Sequence, residues 1–163
     1  MIFVDFRTFL VFVGETSIVK ATILQRPKSF DRVDRIKRVV GQALLRGDDE
    51  LWILGAPLVV VIDGIRYEVP KGFTTDGASI PKIGQWLTGW TKWGEPQRWG
   101  AIVHDWFYCD DAIAKSFADQ AFRAVLAAAG ANTWQREVMY LAVVIGGKKA
   151  YESDQESGPL IYE

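Results

Sequence analysis

Between Gln97 and Ala150, apolar residues recur at helical spacing in three runs, and the breaks between the runs are only a few residues long. No other feature constrains the fold as strongly. Residues 97–108, 115–129 and 133–150 read as three helices. A linker as short as residues 109–114 forces the first two to fold back roughly antiparallel. The first run carries a wide apolar stripe of Trp99, Ile102, Val103, Trp106 and Phe107. Gly130 stops the second. The third has Thr133 as its expected N-cap and Glu137 in its first turn.

The chain upstream reads differently. Residues 2–13 are rich in Phe, Val, Ile and Leu, which suits one or two strands, and residues 17–24 suit a partner strand after the Gly14-Glu15 turn. Ser29 or Asp31 is placed to cap a helix reaching about Leu45, with Val33, Ile36, Val39, Val40 and Leu44 on one face. Its other face, Arg32, Arg35, Lys37 and Arg38, is read as solvated in preference to a contact with phosphate or an acidic partner. Residues 51–54 and 58–62 follow as strands. Asp63-Gly64 between apolar runs signals a hairpin, with residues 65–69 returning. Residues 82–96 read as a short helix and a loop, and residues 152–163, polar with Gly158-Pro159, as a flexible, extended tail. The expected class is α+β in a single domain: an N-terminal antiparallel β portion with one helix, then a C-terminal three-helix portion.

Composition narrows the function classes. With 49% hydrophobic residues the chain can bury a core. A formal net charge of -1 and a pI near 5.9 leave no electrostatic footprint for nucleic acid. Cys109 is the sole cysteine, which excludes an intramolecular disulfide and an all-thiolate zinc site. The first residues do not read as a signal peptide, because Asp5 and Arg7 interrupt them. No run approaches the roughly 18 apolar residues of a membrane span. The expectation is a soluble, cytoplasmic chain. Of its tryptophans, Trp86, Trp90, Trp93 and Trp99 cluster ahead of residue 100; packing is favoured over a partner or lipid interface.

Within the first of the three helices lies Ala101-Ile102-Val103-His104-Asp105-Trp106-Phe107-Tyr108, containing the only histidine. His104 and Tyr108 are four apart and share a face. Asp105 points about 100° away. Asp119, 15 residues beyond His104, comes level with it across an antiparallel pair. The chemistry such a set offers is a dyad: Asp119 fixes the imidazole tautomer, and the other nitrogen takes a proton from water. Asp105, with oxygens of the Phe73-Thr74-Thr75-Asp76-Gly77-Ala78-Ser79-Ile80-Pro81 loop, would hold a divalent cation, calcium by its ligand type. Alone, that loop reads as a hydrogen-bonded turn entering a helix. A lone helical histidine is most often an inert core residue; the flanking carboxylates and tyrosine tip the reading toward a site. The expected catalytic residues are therefore His104, Asp119 and Tyr108, and the expected metal ligands Asp105 and Asp76.

Four motifs in order, Val69-Pro-Lys-Gly-Phe-Thr-Thr-Asp-Gly-Ala-Ser-Ile-Pro81, Ala101-Ile-Val-His-Asp-Trp-Phe-Tyr108, Ala118-Asp-Gln-Ala-Phe122 and Met139-Tyr-Leu-Ala-Val143, resemble domain of unknown function family 1353 over about residues 51–151. The resemblance implies a bacteriophage or prophage origin and supplies no activity. Residues 1–50 would be an extension outside it. A second likeness concerns mechanism. His104-Asp105 followed by Tyr108, with Asp119 on a returning helix, is similar to the core of secreted phospholipase A-two enzymes. It implies His104 as general base, Asp105 as calcium ligand, and Asp119 and Tyr108 as its orienting shell. The flanking cysteines and glycine-rich calcium loop of that family are missing here.

Two functions follow as expectations. One is a phage accessory hydrolase with a metal-assisted His/Asp site, acting on an ester or envelope component as the phage enters or lyses its host. The other is a virion or tail-associated structural protein, in which the same cluster is a buried network. Phage structural proteins, an envelope component or a second copy of the chain are the expected partners, and the host cytoplasm or the virion the expected location.

Overall fold

In the computed structural model of the protein, the described residues are 19–33, 51–77, 89 and 94–161. They form six strands and four helices in the order β1 (Ala21–Gln25), β2 (Phe30–Val33), β3 (Leu51–Leu54), β4 (Leu58–Ile62), β5 (Ile65–Val69), β6 (Thr74–Thr75), α1 (Gln97–Tyr108), α2 (Lys115–Ala128), α3 (Thr133–Gly146) and α4 (Lys148–Ser157). The class is α+β, with antiparallel strands first and helices after.

The strands make two three-stranded antiparallel sheets, ordered β1-β4-β5 and β2-β3-β6. The central hairpin follows the sequence. Leu58 faces Val69 and Ile62 faces Ile65, and both turn residues, Asp63 (φ 48°) and Gly64 (φ 83°), lie in the left-handed region. That is the backbone of the tight turn whose twist matches its strands. Asp63 Oδ1 also accepts from the Lys20 amide at 2.8 Å, fastening the start of β1 to the turn.

One correction applies upstream of residue 51. Residues 30–33, expected in a helix, form β2 and pair with β3, Phe30 opposite Leu54 and Val33 opposite Leu51. Phe30 lies 5.9 Å from the Trp99 ring, and a non-local strand pairing with an aromatic anchor outweighs a helical pattern. The rest of that expected helix, the strand at residues 2–13 and the helix within 82–93 fall outside the described residues.

The helices follow the expected boundaries except at the end. The third expected helix breaks at Gly147 into α3 and α4, and the tail expected to be extended is helical to Ser157. Tyr151 and Gln155 explain why: the Tyr151 hydroxyl donates to the Ile113 carbonyl at 2.8 Å, and Gln155 Nε2 to the Tyr108 carbonyl at 2.6 Å. After α4 the chain returns to the strands, with Ile161 bridging Phe73 and the Thr74 amide donating to the Leu160 carbonyl at 2.9 Å. Asn132, and not Thr133, caps α3, accepting from the Gln135 amide at 2.9 Å. Glu137 lies beyond the first turn and pairs with Arg123 at 2.9 Å.

One core fills the space between sheet and helices. Leu54, Leu58, Val60, Ile62, Val69 and Phe73 meet Ile102, Val103 and Phe107 of α1 and Ala118, Ala121 and Val125 of α2. Each such large side chain contributes about 1.5–3 kcal/mol by leaving water. A smaller cluster of Ala101, Phe122, Leu126 and Met139 joins α1, α2 and α3. Close approach of α1 and α2 depends on Gly100, where a Cβ would sit 2.9 Å from a Leu126 methyl. That approach sets the distance between His104 and Asp119.

Candidate functional site

α1 carries two polar nodes on different sides. The first is built with α2. His104 Nε2 lies 3.0 Å from Asp119 Oδ1, and the Tyr108 hydroxyl donates to the same oxygen at 2.8 Å. Lys115 Nζ donates to the other oxygen, Oδ2, at 2.7 Å. Lys115 also reaches α3, donating to the Val143 carbonyl at 2.9 Å. The three expected catalytic residues are therefore brought together, and the turn at residues 109–114 does level Asp119 with His104. The imidazole packs between Tyr108, ring centroids 3.9 Å apart, and Phe122, at 5.2 Å.

The node is dry. His104 keeps 7% of its surface and Asp119 3%. Burial disfavours the Asp119 carboxylate, but hydrogen bonds from His104, Lys115 and Tyr108 outweigh it and hold its pKa below the usual value. Burial also dominates at His104, lowering its pKa against the raising influence of Asp119. An ionised carboxylate only accepts, so a neutral His104 carries its proton on Nε2. That leaves Nδ1 as the basic nitrogen. The Tyr108 hydroxyl is pushed far up, by burial first and then by its bond to Asp119, so it stays a donor.

The second node faces β6. Thr75 Oγ1 donates to Asp105 Oδ2 at 2.5 Å and accepts from the Gly77 amide at 2.9 Å. Asp76 is adjacent in sequence, and its charge, after burial, helps raise Asp154 of α4 to a pKa of about 6. Of the two expected metal ligands, Asp105 is thus engaged by Thr75 and not by the imidazole, and Asp76 follows Thr75 in the chain. Among the described residues, no three His, Cys, Asp or Glu side chains gather as a metal-binding group. A cavity of about 350 Å³ opens near this end of α1, lined by Trp106, Cys109, Asp110, Asp111, Gln155 and Pro159. Burial first, then Asp154 and Asp105, push the Cys109 thiol there up to about 12.

Three contributors escaped the sequence reading. Lys115 was legible, since it stands four residues before Asp119 on one helix and such pairs face each other. Asp154 was not, because residues 152–163 were read as tail, and Gly147 was not, because residues 133–150 were read as one unbroken helix. A Cβ at Gly147 would lie 2.5 Å from the Tyr108 hydroxyl, so the α3–α4 break rests directly on the first node.

The family model described as "Protein of unknown function (DUF1353)" matches residues 52–143. The chain belongs to this family. Its matched region spans β3 to α3 and holds both nodes, apart from Asp154. Neither the curated proteins nor the solved structures give a match. No helix among the described residues is long and apolar enough to cross a membrane.

Proposed function

We propose that this chain is a phage-encoded accessory protein whose His104–Asp119 pair is a hydrolytic dyad, acting on an ester or cell-envelope component as the phage enters or lyses its host. The observation that carries this reading is the shared oxygen: Oδ1 of Asp119 meets both His104 Nε2 and the Tyr108 hydroxyl. That arrangement fixes the Nε2–H tautomer and orients the ring, leaving Nδ1 to take a proton from water. The resulting hydroxide would add to the ester carbonyl, and the imidazolium would return the proton to the departing alkoxide. Asp105 and Asp76 would offer oxygen donors to a divalent cation, calcium by ligand type, at the second node, apart from the imidazole. The host cytoplasm or the virion is the setting this reading implies.

Calcium titration followed by thermal unfolding tests the cation, since a bound ion raises the melting temperature by mass action. Asp105→Asn is expected to abolish that rise. His104→Asn is expected to abolish ester hydrolysis while leaving the melting temperature nearly unchanged. A variant that melts far lower, in a protein with no hydrolysis to lose, overturns the enzymatic reading.

The second reading is a structural protein of the virion or tail, with the same residues as a polar tie. Lys115 favours it, since its ammonium binds Asp119 of α2 and the Val143 carbonyl of α3 at once, in a site where His104 is almost wholly enclosed. On that reading Asp119 holds three helices in register, and assembly partners, a second copy included, would meet other faces of the molecule.

A further inference from the structure

Lys115 makes more contacts than an ion pair needs. Its ammonium meets Asp119 Oδ2 at 2.7 Å, the Val143 carbonyl at 2.9 Å and the Val144 carbonyl at 3.5 Å. Those carbonyls belong to the last turn of α3, where the helix dipole is negative, and the Val143 carbonyl accepts from the Gly147 amide at 2.8 Å as well as from Lys115. The cation is thus fixed by the end of one helix before it touches the carboxylate of another. Its side chain is 20% exposed, against 4% for Asp119.

The carboxylate needs such an anchor. Its two oxygens are chemically equivalent, and rotation about the Cβ–Cγ bond exchanges them. Oδ1 serves the ring and the tyrosine; only Oδ2 meets a full charge. A cation at Oδ2, held from a third helix, removes the freedom to rotate. It also supplies the counter-charge that keeps a 3% exposed carboxylate ionised. An ionised acceptor is what selects a protonated Nε2 at His104.

We infer that Lys115 is the positioning residue of this site: by anchoring Asp119 Oδ2 to the end of α3, it sets the His104 tautomer that leaves Nδ1 basic. The importance for hydrolysis rests on the dyad reading above. The tautomer itself requires no substrate to be known.

Because His104 is the only histidine, its two ring nitrogens give the only imidazole signals in a ¹⁵N-labelled sample of the full chain. Proton–nitrogen correlation spectra at neutral pH, where the ring is uncharged, are expected to favour Nε2–H at least about tenfold, the size of one hydrogen bond to a charged group. Lys115→Met keeps the aliphatic stem and deletes the charge; its preference is expected to fall to about threefold or less. Lys115→Arg is expected to restore it. Nitrogen shifts in Lys115→Met identical to the native ones overturn the inference, whatever happens to the melting temperature, and reduce Lys115 to a structural tie. Should that variant fail to fold, Lys115→Gln keeps a donor without the charge and must show the same loss, and a native pair of shifts there is equally fatal. If the tautomer responds to Lys115 and no ester is hydrolysed, the positioning role stands and the hydrolase proposal falls.

Discussion

α2 and α3 are both 14 residues long, yet α2 buries seven of them and α3 only Met139. Hydropathy alone would give the reverse order, because α3 carries Trp134, Val138, Leu141, Val143, Val144 and Ile145 while α2 is rich in alanine and charge. Position decides. α2 lies between α1 and the strands, so small residues such as Ala118 and Ala121 are fully enclosed, and its one acid on that face is enclosed with them. α3 packs on α2 along one side and leaves Ile145 81% and Trp134 46% exposed. The lesson concerns polar groups above all. Asp119 sits on the more buried helix and is satisfied three times over, as a buried charge must be.

The contrast can be broken by substitution, most severely at its charged centre. Asp119→Ala leaves His104 and Tyr108 without their acceptor and the Lys115 ammonium without its counter-charge, and is expected to cost about 3–5 kcal/mol in denaturant unfolding. Leu126→Ala, at 0% exposure on α2, is expected to cost about 2–5 kcal/mol. Gly147→Ala would drive a methyl toward the Tyr108 hydroxyl at 2.5 Å, with an expected cost of about 1–3 kcal/mol. Ile145→Ala on α3 is expected to stay within about 0.5 kcal/mol; a loss as large as that of Leu126→Ala would show that α3 is covered in solution.

Acidity sharpens the same comparison, with opposite signs at the two nodes. His104 is held below its ordinary pKa of 6.5, so the unfolded chain takes up the proton first, and stability contributed by the neutral ring is lost as pH falls below that value. Asp154 is held above its ordinary 3.8, at about 6, so here the folded chain binds the proton first and stability falls as pH rises from about 4 to 6. Melting curves of Asp154→Asn against the native protein are expected to separate above pH 6, the variant higher, and to converge below pH 4.

Much of this was legible in the residues. Three helix registers, the Asp63-Gly64 hairpin and the meeting of His104, Tyr108 and Asp119 follow from local periodicity and short linkers, which leave the chain few alternatives. The failures share a cause. Phe30–Val33 became a strand through pairing with Leu51–Leu54, and residues 152–157, read as tail, became helical through Tyr151 and Gln155 reaching Ile113 and Tyr108. Both depend on partners distant in the chain, which no window of sequence displays. The separation of Asp105 from the imidazole was implied by its 100° offset, but its engagement with Thr75 required the β6 pairing.

The return of the chain to Phe73 after α4 has a consequence for handling the protein. Leu160 supplies the acceptor for the Thr74 amide, and the neighbouring Thr75 holds Asp105. Proteolytic clipping between Ser157 and Leu160 would remove that acceptor and unpin β6 from its outer side. Damage to this short segment would then be transmitted, through one amide and one hydroxyl, to a carboxylate on α1, so intact-mass measurement belongs beside every calcium titration.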